Sequence, residues 1–183
     1  MSGEADVLFW IQDHLSYGFM DFLMPAVSLL CTADIIWFLF ALILIRKKET
    51  RRIGMILLIA LLISIMICNL LLKPMVGRIR PYEVYDVSLL VPASTEYSFP
   101  SGHTTGVTVV TTVVCMYFRK WMWPMILFAL TVMFSRMYLF MHYPTDILGG
   151  VAVGIVSVML SYAIVKGLER YRAGKVEDGM QRV

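Results

Sequence analysis

A chain of 183 residues in which 59% are hydrophobic and the mean hydropathy is +0.76 is too apolar for an ordinary soluble domain, where roughly half is typical, and it reads as one polytopic membrane domain. Its formal charge of +3 is dispersed, and no basic stripe carries interleaved stacking aromatics, which argues against a nucleic-acid partner. Cys31, Cys68 and Cys115 fall within apolar segments without metal-site or redox-pair spacing and read as small packing residues.

The first residues, Met1 to Asp6, are acidic where a cleavable signal would be basic, so the first membrane segment is expected to act as its own signal. Residues 4–18 place Val7, Leu8, Ile11 and Leu15 at helical spacing, with Asp6, Asp13, His14 and Ser16 elsewhere on the wheel. That pattern predicts a helix lying in the membrane interface over residues 1–18. From Phe19 to Ile45 the chain is apolar except for Asp21, Ser28, Thr32 and Asp34, and one crossing is expected, its start left open by the pattern. An aspartate costs about 3 kcal/mol at mid-bilayer, so Asp34 belongs near the outer face or a polar cavity. Arg46, Lys47, Lys48, Arg51 and Arg52 then form the densest basic loop.

Residues 53–72 are almost uninterruptedly apolar, roughly 30 Å of helix and one bilayer crossing. Asn69 near its end is placed either to bond a neighbouring helix or to support a polar site beside Lys73. Residues 74–99 contain Gly77, Pro81 and Pro92 and read as a long loop. A polar turn, Tyr97 to Gly106, leads from it into an apolar helix; Pro100 suits the first turn, and the unpaired N–H groups of a helix start can seat an anion.

The third span is expected from about Ser101 to Phe118, softened by Thr104, Thr105, Thr108, Thr111 and Thr112, as suits a helix packed inside a bundle. The fourth covers about Trp121 to Phe140, a tight turn takes Met141 to Pro144, and the fifth runs from about Thr145 to Lys166. Gly150 and Gly154, four apart, are assigned to close helix packing within the monomer. The reading is thus an all-α membrane helical bundle of about five transmembrane helices plus an N-terminal interfacial helix. It comprises a domain over 1–168 and a polar, partly disordered tail over 169–183. With five spans the basic loops at 46–52 and 119–120 and the tail share one side, which places the C-terminus in the cytoplasm. The N-terminus and the segments around Lys73, Pro100 and His142 then meet at the outer face of the plasma membrane.

Three polar clusters would converge there. Lys73, Arg78 and Arg80 follow the second span, Pro100 to His103 open the third, and Ser135-Arg136, His142 and Asp146 bracket the last turn. Cations, two imidazoles and a carboxylate together can move a phosphoryl group without a metal. His142 and Asp146, four apart at a helix start, allow the carboxylate to orient the imidazole, but the residues alone do not decide which imidazole attacks. His14 has no such surroundings. Glu83, Asp86 and Glu96 are scattered in the loop, so no metal and no other cofactor is expected.

The run Lys73-x6-Arg80-Pro81, then Pro100-Ser101-Gly102-His103, then Ser135-Arg136-x5-His142-x3-Asp146 resembles the three-part signature of the type-2 phosphatidic acid phosphatase superfamily in its small bacterial membrane form. The resemblance covers residues 73–146 with no signature position substituted. It implies a phosphohistidine on His142, oriented by Asp146, and His103 as the acid for the leaving oxygen and the base for the releasing water. It implies a phosphate seat made of Lys73, Arg80, Ser101, Gly102 and Arg136, with Arg78 as suited to lipid headgroups as to substrate. The expected partners are the bilayer and a lipid phosphate, first undecaprenyl diphosphate, with phosphatidylglycerophosphate and phosphatidic acid as rivals. A lipid phosphotransferase would share every signature residue, and a non-enzymatic lipid-binding or transport protein would not need the two histidines and Asp146.

Overall fold

The computed structural model describes residues 3–31 and 34–180 and is helical, with no strand among the described residues. The helices are α1 Gly3–Leu15, α2 Gly18–Leu30, α3 Ile35–Arg46, α4 Arg51–Ile65, α5 Lys73–Val76, α6 Pro81–Val84, α7 Gly102–Tyr117, α8 Met122–Tyr138 and α9 Pro144–Met180. A π-helical stretch, Met66–Leu72, joins α4 to α5 without a break. Phe22, Leu39, Leu70, Leu127, Leu148 and Met159 stay exposed on the outside of the bundle, the distribution expected where the surrounding solvent is hydrocarbon.

Two helical stretches, Arg51–Val84 and Pro144–Lys175, are long and apolar enough to cross a membrane. The expected first crossing is two helices, α2 and α3, bent by 47° between Leu30 and Ile35, and they count as a third only if the pair is one broken span. Thr32, one of the polar residues expected in that crossing, lies outside the described residues, as does the end of the tail at 181–183. The third and fourth expected spans are present as α7 and α8, but at 16 and 17 residues they are shorter than a full crossing usually requires. The last helix does not end near Lys166: it continues through the polar tail to Met180.

Helix α7 is the centre of the bundle, packed by α9, α8 and α4, and Thr111 and Thr112 return their hydroxyls to its own backbone. Thr111 bonds the Val107 carbonyl at 2.7 Å and Thr112 the Thr108 carbonyl at 2.8 Å, whereas the buried Thr108 hydroxyl has no partner among the described residues. At the far end Arg52 of α4 reaches Glu169 of α9 at 2.9 Å and the Tyr117 hydroxyl of α7 at 3.2 Å. That end holds the basic loops, and the opposite end holds the three polar clusters.

The close approach of α9 to α7 depends on two glycines. A Cβ on Gly150 would lie 2.8 Å from the Ser101 carbonyl oxygen and 2.9 Å from Thr104 Cβ; one on Gly154 would lie 2.7 Å from Thr108 Cβ. Neither obstacle can swing aside without parting the helices. Gly150→Ala is therefore expected to cost about 1–3 kcal/mol of stability. Gly167→Ala, on the same helix with nothing within 4 Å, should be neutral or slightly stabilising. Thermal unfolding of the detergent-solubilised variants checks the contrast.

Candidate active site

Four segments that are remote in sequence end at one place. The π-helical stretch is a wide turn of the kind often found at functional sites. It directly precedes Lys73, which is buried, and its Asn69 lines the same cavity. Gly77 takes the left-handed conformation that ends α5 and lets the chain turn back, which brings Arg80 inward. Helix α7 begins here, with Ser101 as its N-cap accepting from the Thr104 N–H at 3.4 Å. The last turn of α8 supplies Arg136, and Phe140, with φ of 53°, starts the tight turn that presents His142 ahead of α9.

These segments enclose a cavity of about 460 Å³ lined by Lys73, Arg80, Gly102, His103, Arg136 and His142, with Ser28, Cys31 and Asp34 from the α2–α3 junction. Lys73 Nζ is ion-paired with the Glu96 carboxylate. Arg80 Nε donates to the Glu96 carbonyl at 2.7 Å and its Nη1 to the Met141 carbonyl at 3.3 Å. Arg136 Nη1 donates to Ser28 Oγ. Arg136 Nε, His103 Nε2, Asn69 Oδ1 and Asp34 Oδ1 are buried without a hydrogen-bond partner among the described residues, and all four belong to side chains that line the cavity. Such unpaired polar groups are rare in a folded interior and mark a place built for something else.

His142 Nδ1 stands 3.6 Å from Asp146 Oδ2 and 3.5 Å from Ser98 Oγ. The Asp146 carboxylate itself is fully engaged. Its Oδ2 accepts from the Ser98 hydroxyl at 2.5 Å and the Tyr143 N–H at 2.8 Å, and its Oδ1 accepts from Arg78 Nη1 at 2.7 Å. Burial pushes the His142 imidazole down to about 3, aided by the Arg136 and Arg80 guanidiniums and opposed by Asp146, so the ring is neutral at physiological pH. A neutral ring whose Nδ1 faces a carboxylate keeps its hydrogen there and leaves the Nε2 lone pair free, the form a nucleophile needs.

Of the residues singled out by sequence, the structure brings Lys73, Arg80, Gly102, His103, Arg136 and His142 to one cavity and sets Asp146 directly behind His142. Ser101 does not line the cavity; its hydroxyl accepts from the Thr104 N–H and hydroxyl, and its N–H donates to the Asp146 carbonyl at 3.1 Å. Arg78 points away from the cavity, toward Asp146, Thr145 and Glu4. Sequence reasoning missed Ser98, which belongs to the very turn that drew attention, and Glu96, which looked scattered. Among the described residues no three of His, Cys, Asp and Glu converge as a metal-ligand set.

Comparison with known proteins follows the same lines. The PAP2 superfamily model matches residues 53–170. An undecaprenyl-diphosphatase of Sulfolobus acidocaldarius is 33% identical over 133 residues, covering 72% of this chain and 64% of its own length. The undecaprenyl-diphosphatase BcrC of Bacillus subtilis is 35% identical over 91 residues, 50% of this chain and 47% of that one. The chain thus spans about half to two thirds of the length of these relatives. The crystal structure of Aquifex aeolicus LpxE superposes with a TM-score of 0.77 over 89% of this chain and 96% of that one, and at 21% identity the likeness is one of fold.

Proposed function

Because the chain belongs to the PAP2 superfamily, we propose that it is a metal-independent lipid phosphate phosphatase acting through a phosphohistidine, with undecaprenyl diphosphate as its first substrate. The observation that carries the reading is the single cavity in which three cations, a helix N-terminus and two histidines meet. The two relatives named as undecaprenyl-diphosphatases support the choice of lipid.

The substrate's terminal phosphate sits among Lys73, Arg80, Arg136 and the Gly102 N–H, which oppose the charge on its equatorial oxygens. Arginine suits this seat because its planar fork holds two oxygens at once. His142 Nε2 attacks phosphorus, the bond to the lipid-side oxygen breaks, and His103 supplies a proton to that oxygen. Asp146 balances the charge that His142 acquires. A water then attacks phosphorus as its proton passes to His103, the phosphorus–nitrogen bond breaks with its electron pair returning to His142 Nε2, and inorganic phosphate leaves. Glu96 must release Lys73 for the phosphate to enter. In this reading the cavity faces the outer side of the membrane, away from the basic loops.

Phosphate release from undecaprenyl diphosphate, phosphatidylglycerophosphate and phosphatidic acid by the detergent-purified protein tests the proposal, with His142→Ala in parallel. Release from undecaprenyl diphosphate at the highest rate, absent in the mutant, is the expected result. No release from any of the three overturns it. Activity should also persist in excess EDTA, since protein cations supply the charge that a metal would; loss restored by magnesium would sink the metal-free mechanism.

A further inference from the structure

Arg78 lies outside the cavity lining and yet bonds the carboxylate that stands behind His142. Its Nη1 donates to Asp146 Oδ1 at 2.7 Å and Thr145 Oγ1 at 2.6 Å, and its Nη2 donates to Glu4 Oε2 at 2.5 Å. Arg78 Cζ lies 4.0 Å from the centroid of the Tyr143 ring. Its main-chain carbonyl accepts from the Ser98 N–H at 2.8 Å, so the same residue holds both groups that stand against His142 Nδ1. Glu4, from α1, completes the arrangement: its Oε1 accepts from the Thr145 N–H at 3.0 Å and the Thr145 hydroxyl at 2.6 Å, in the first turn of α9. Burial works to raise the Glu4 carboxyl, but the hydrogen bonds from Thr145 and Arg78 outweigh it and hold the group below its ordinary value.

We propose that Arg78, clamped by Glu4 of α1, is a positioning residue that sets the geometry and charge of Asp146 and through it the readiness of His142, without touching substrate. The inference rests on the phosphohistidine reading of His142. Both terminal nitrogens already donate to protein oxygens, and Arg78 is not among the residues that line the cavity. Its charge draws on the Asp146 carboxylate, which leaves less negative charge for the imidazole; Glu4 offsets part of that pull. Helix α1 thereby becomes part of the catalytic apparatus although it lines none of the cavity. The charged groups that face His142 itself are Asp146 from α9, Arg136 from α8, Arg80 from the 77–80 connection and His103 from α7. Arg78 reaches it only through Asp146.

The test uses the full chain in detergent with Arg78→Gln, Arg78→Lys, Glu4→Gln and the Arg78→Gln/Glu4→Gln double variant. With the lipid that wild type hydrolyses, Arg78→Gln is expected to lower kcat about 10–100-fold, by analogy with other outer-shell partners, and to leave KM and inhibition by inorganic phosphate within about threefold. Inhibition by orthovanadate, which mimics the trigonal phosphoryl group, should weaken in step with kcat. Arg78→Lys should recover only part of the loss, because an ammonium cannot hold Asp146, Thr145 and Glu4 together. Glu4→Gln should cost less, and nothing further in the Arg78→Gln background, since it works through the same guanidinium. A rise in KM and in the phosphate inhibition constant with kcat unchanged would make Arg78 a substrate ligand and overturn the proposal, as would additive losses in the double variant.

A second readout needs no substrate and separates this proposal from the choice of lipid. In nitrogen-15 histidine spectra, the His142 signal, identified by its loss in His142→Gln, should titrate about half a unit or more higher in Arg78→Gln, because Asp146 then gives the imidazolium more support. In Glu4→Gln it should not rise. A His142 titration that is the same in wild type and Arg78→Gln overturns the proposal whether or not any lipid is hydrolysed.

Discussion

Phosphate release is expected to fall by about 10³-fold or more in His142→Ala and by about 10²–10⁴-fold in His103→Ala, but for different reasons that the substrate can expose. In the proposed reaction His142 forms the bond to phosphorus, so its loss removes labelled phosphoenzyme with every substrate. His103 acts twice, on the leaving oxygen and on the water. A diphosphate leaves as a lipid phosphate whose own second ionisation lies near about 6, so its departure needs little protonation. Phosphatidic acid must expel a far more basic alkoxide. His103→Ala is therefore expected to accumulate phosphoenzyme from undecaprenyl diphosphate, where only the second step is crippled, and to form none from phosphatidic acid. Rapid quenching with labelled lipid measures both. Labelled His142→Ala protein would assign the nucleophile elsewhere.

Arg136 gives the second large effect. It is buried, it lines the cavity, its Nη1 is held by Ser28 and its Nε has no partner among the described residues. Among those residues no carboxylate pairs with it, in contrast to Lys73 with Glu96 and Arg78 with Glu4 and Asp146. A buried cation without a counter-ion opposes folding, and a bound phosphate would relieve it. Arg136→Met should then lower kcat/KM about 10²–10³-fold while thermal stability holds or rises. Arg136→Lys should recover little activity, because a point charge cannot replace the planar fork. Inorganic phosphate should raise the unfolding temperature of wild type more than that of Arg136→Met. A marked fall in stability in Arg136→Met, with activity kept, would make Arg136 a structural residue.

The sequence carried the helices and the motif residues because both are written locally. The apolar run at 53–72 and the Pro100–His103 turn need only their own neighbours to be read. What escaped is written in three dimensions. Glu4 meets Thr145 across 141 positions, and no periodicity links an acidic N-terminus to the start of the last helix. Arg78 sits in a non-helical connection, where the left-handed Gly77 decides which way each side chain turns. Ser98 was within the notable turn, yet its bond to Asp146 depends on that turn meeting the first turn of α9. The crossing count was less legible than the helices, because α7 and α8 are short and the α2–α3 pair bends between Leu30 and Ile35, where the pattern could only mark Asp34 as costly.

The ion pair between Lys73 and Glu96 gives the resting cavity an internal stand-in for the phosphate of the proposed substrate. Glu96 comes from the exposed loop and is more than half open to solvent, whereas Lys73 is almost wholly enclosed. In the proposed reaction the arrival of a lipid phosphate at that lysine would be an exchange of one anion for another, not the filling of a bare positive site. The affinity lost in that exchange applies equally to the inorganic phosphate left behind, and the returning carboxylate helps expel it. A tethered competitor of this kind trades tight capture for turnover, which would suit the proposed enzyme, whose lipid would reach it already concentrated in the plane of a membrane.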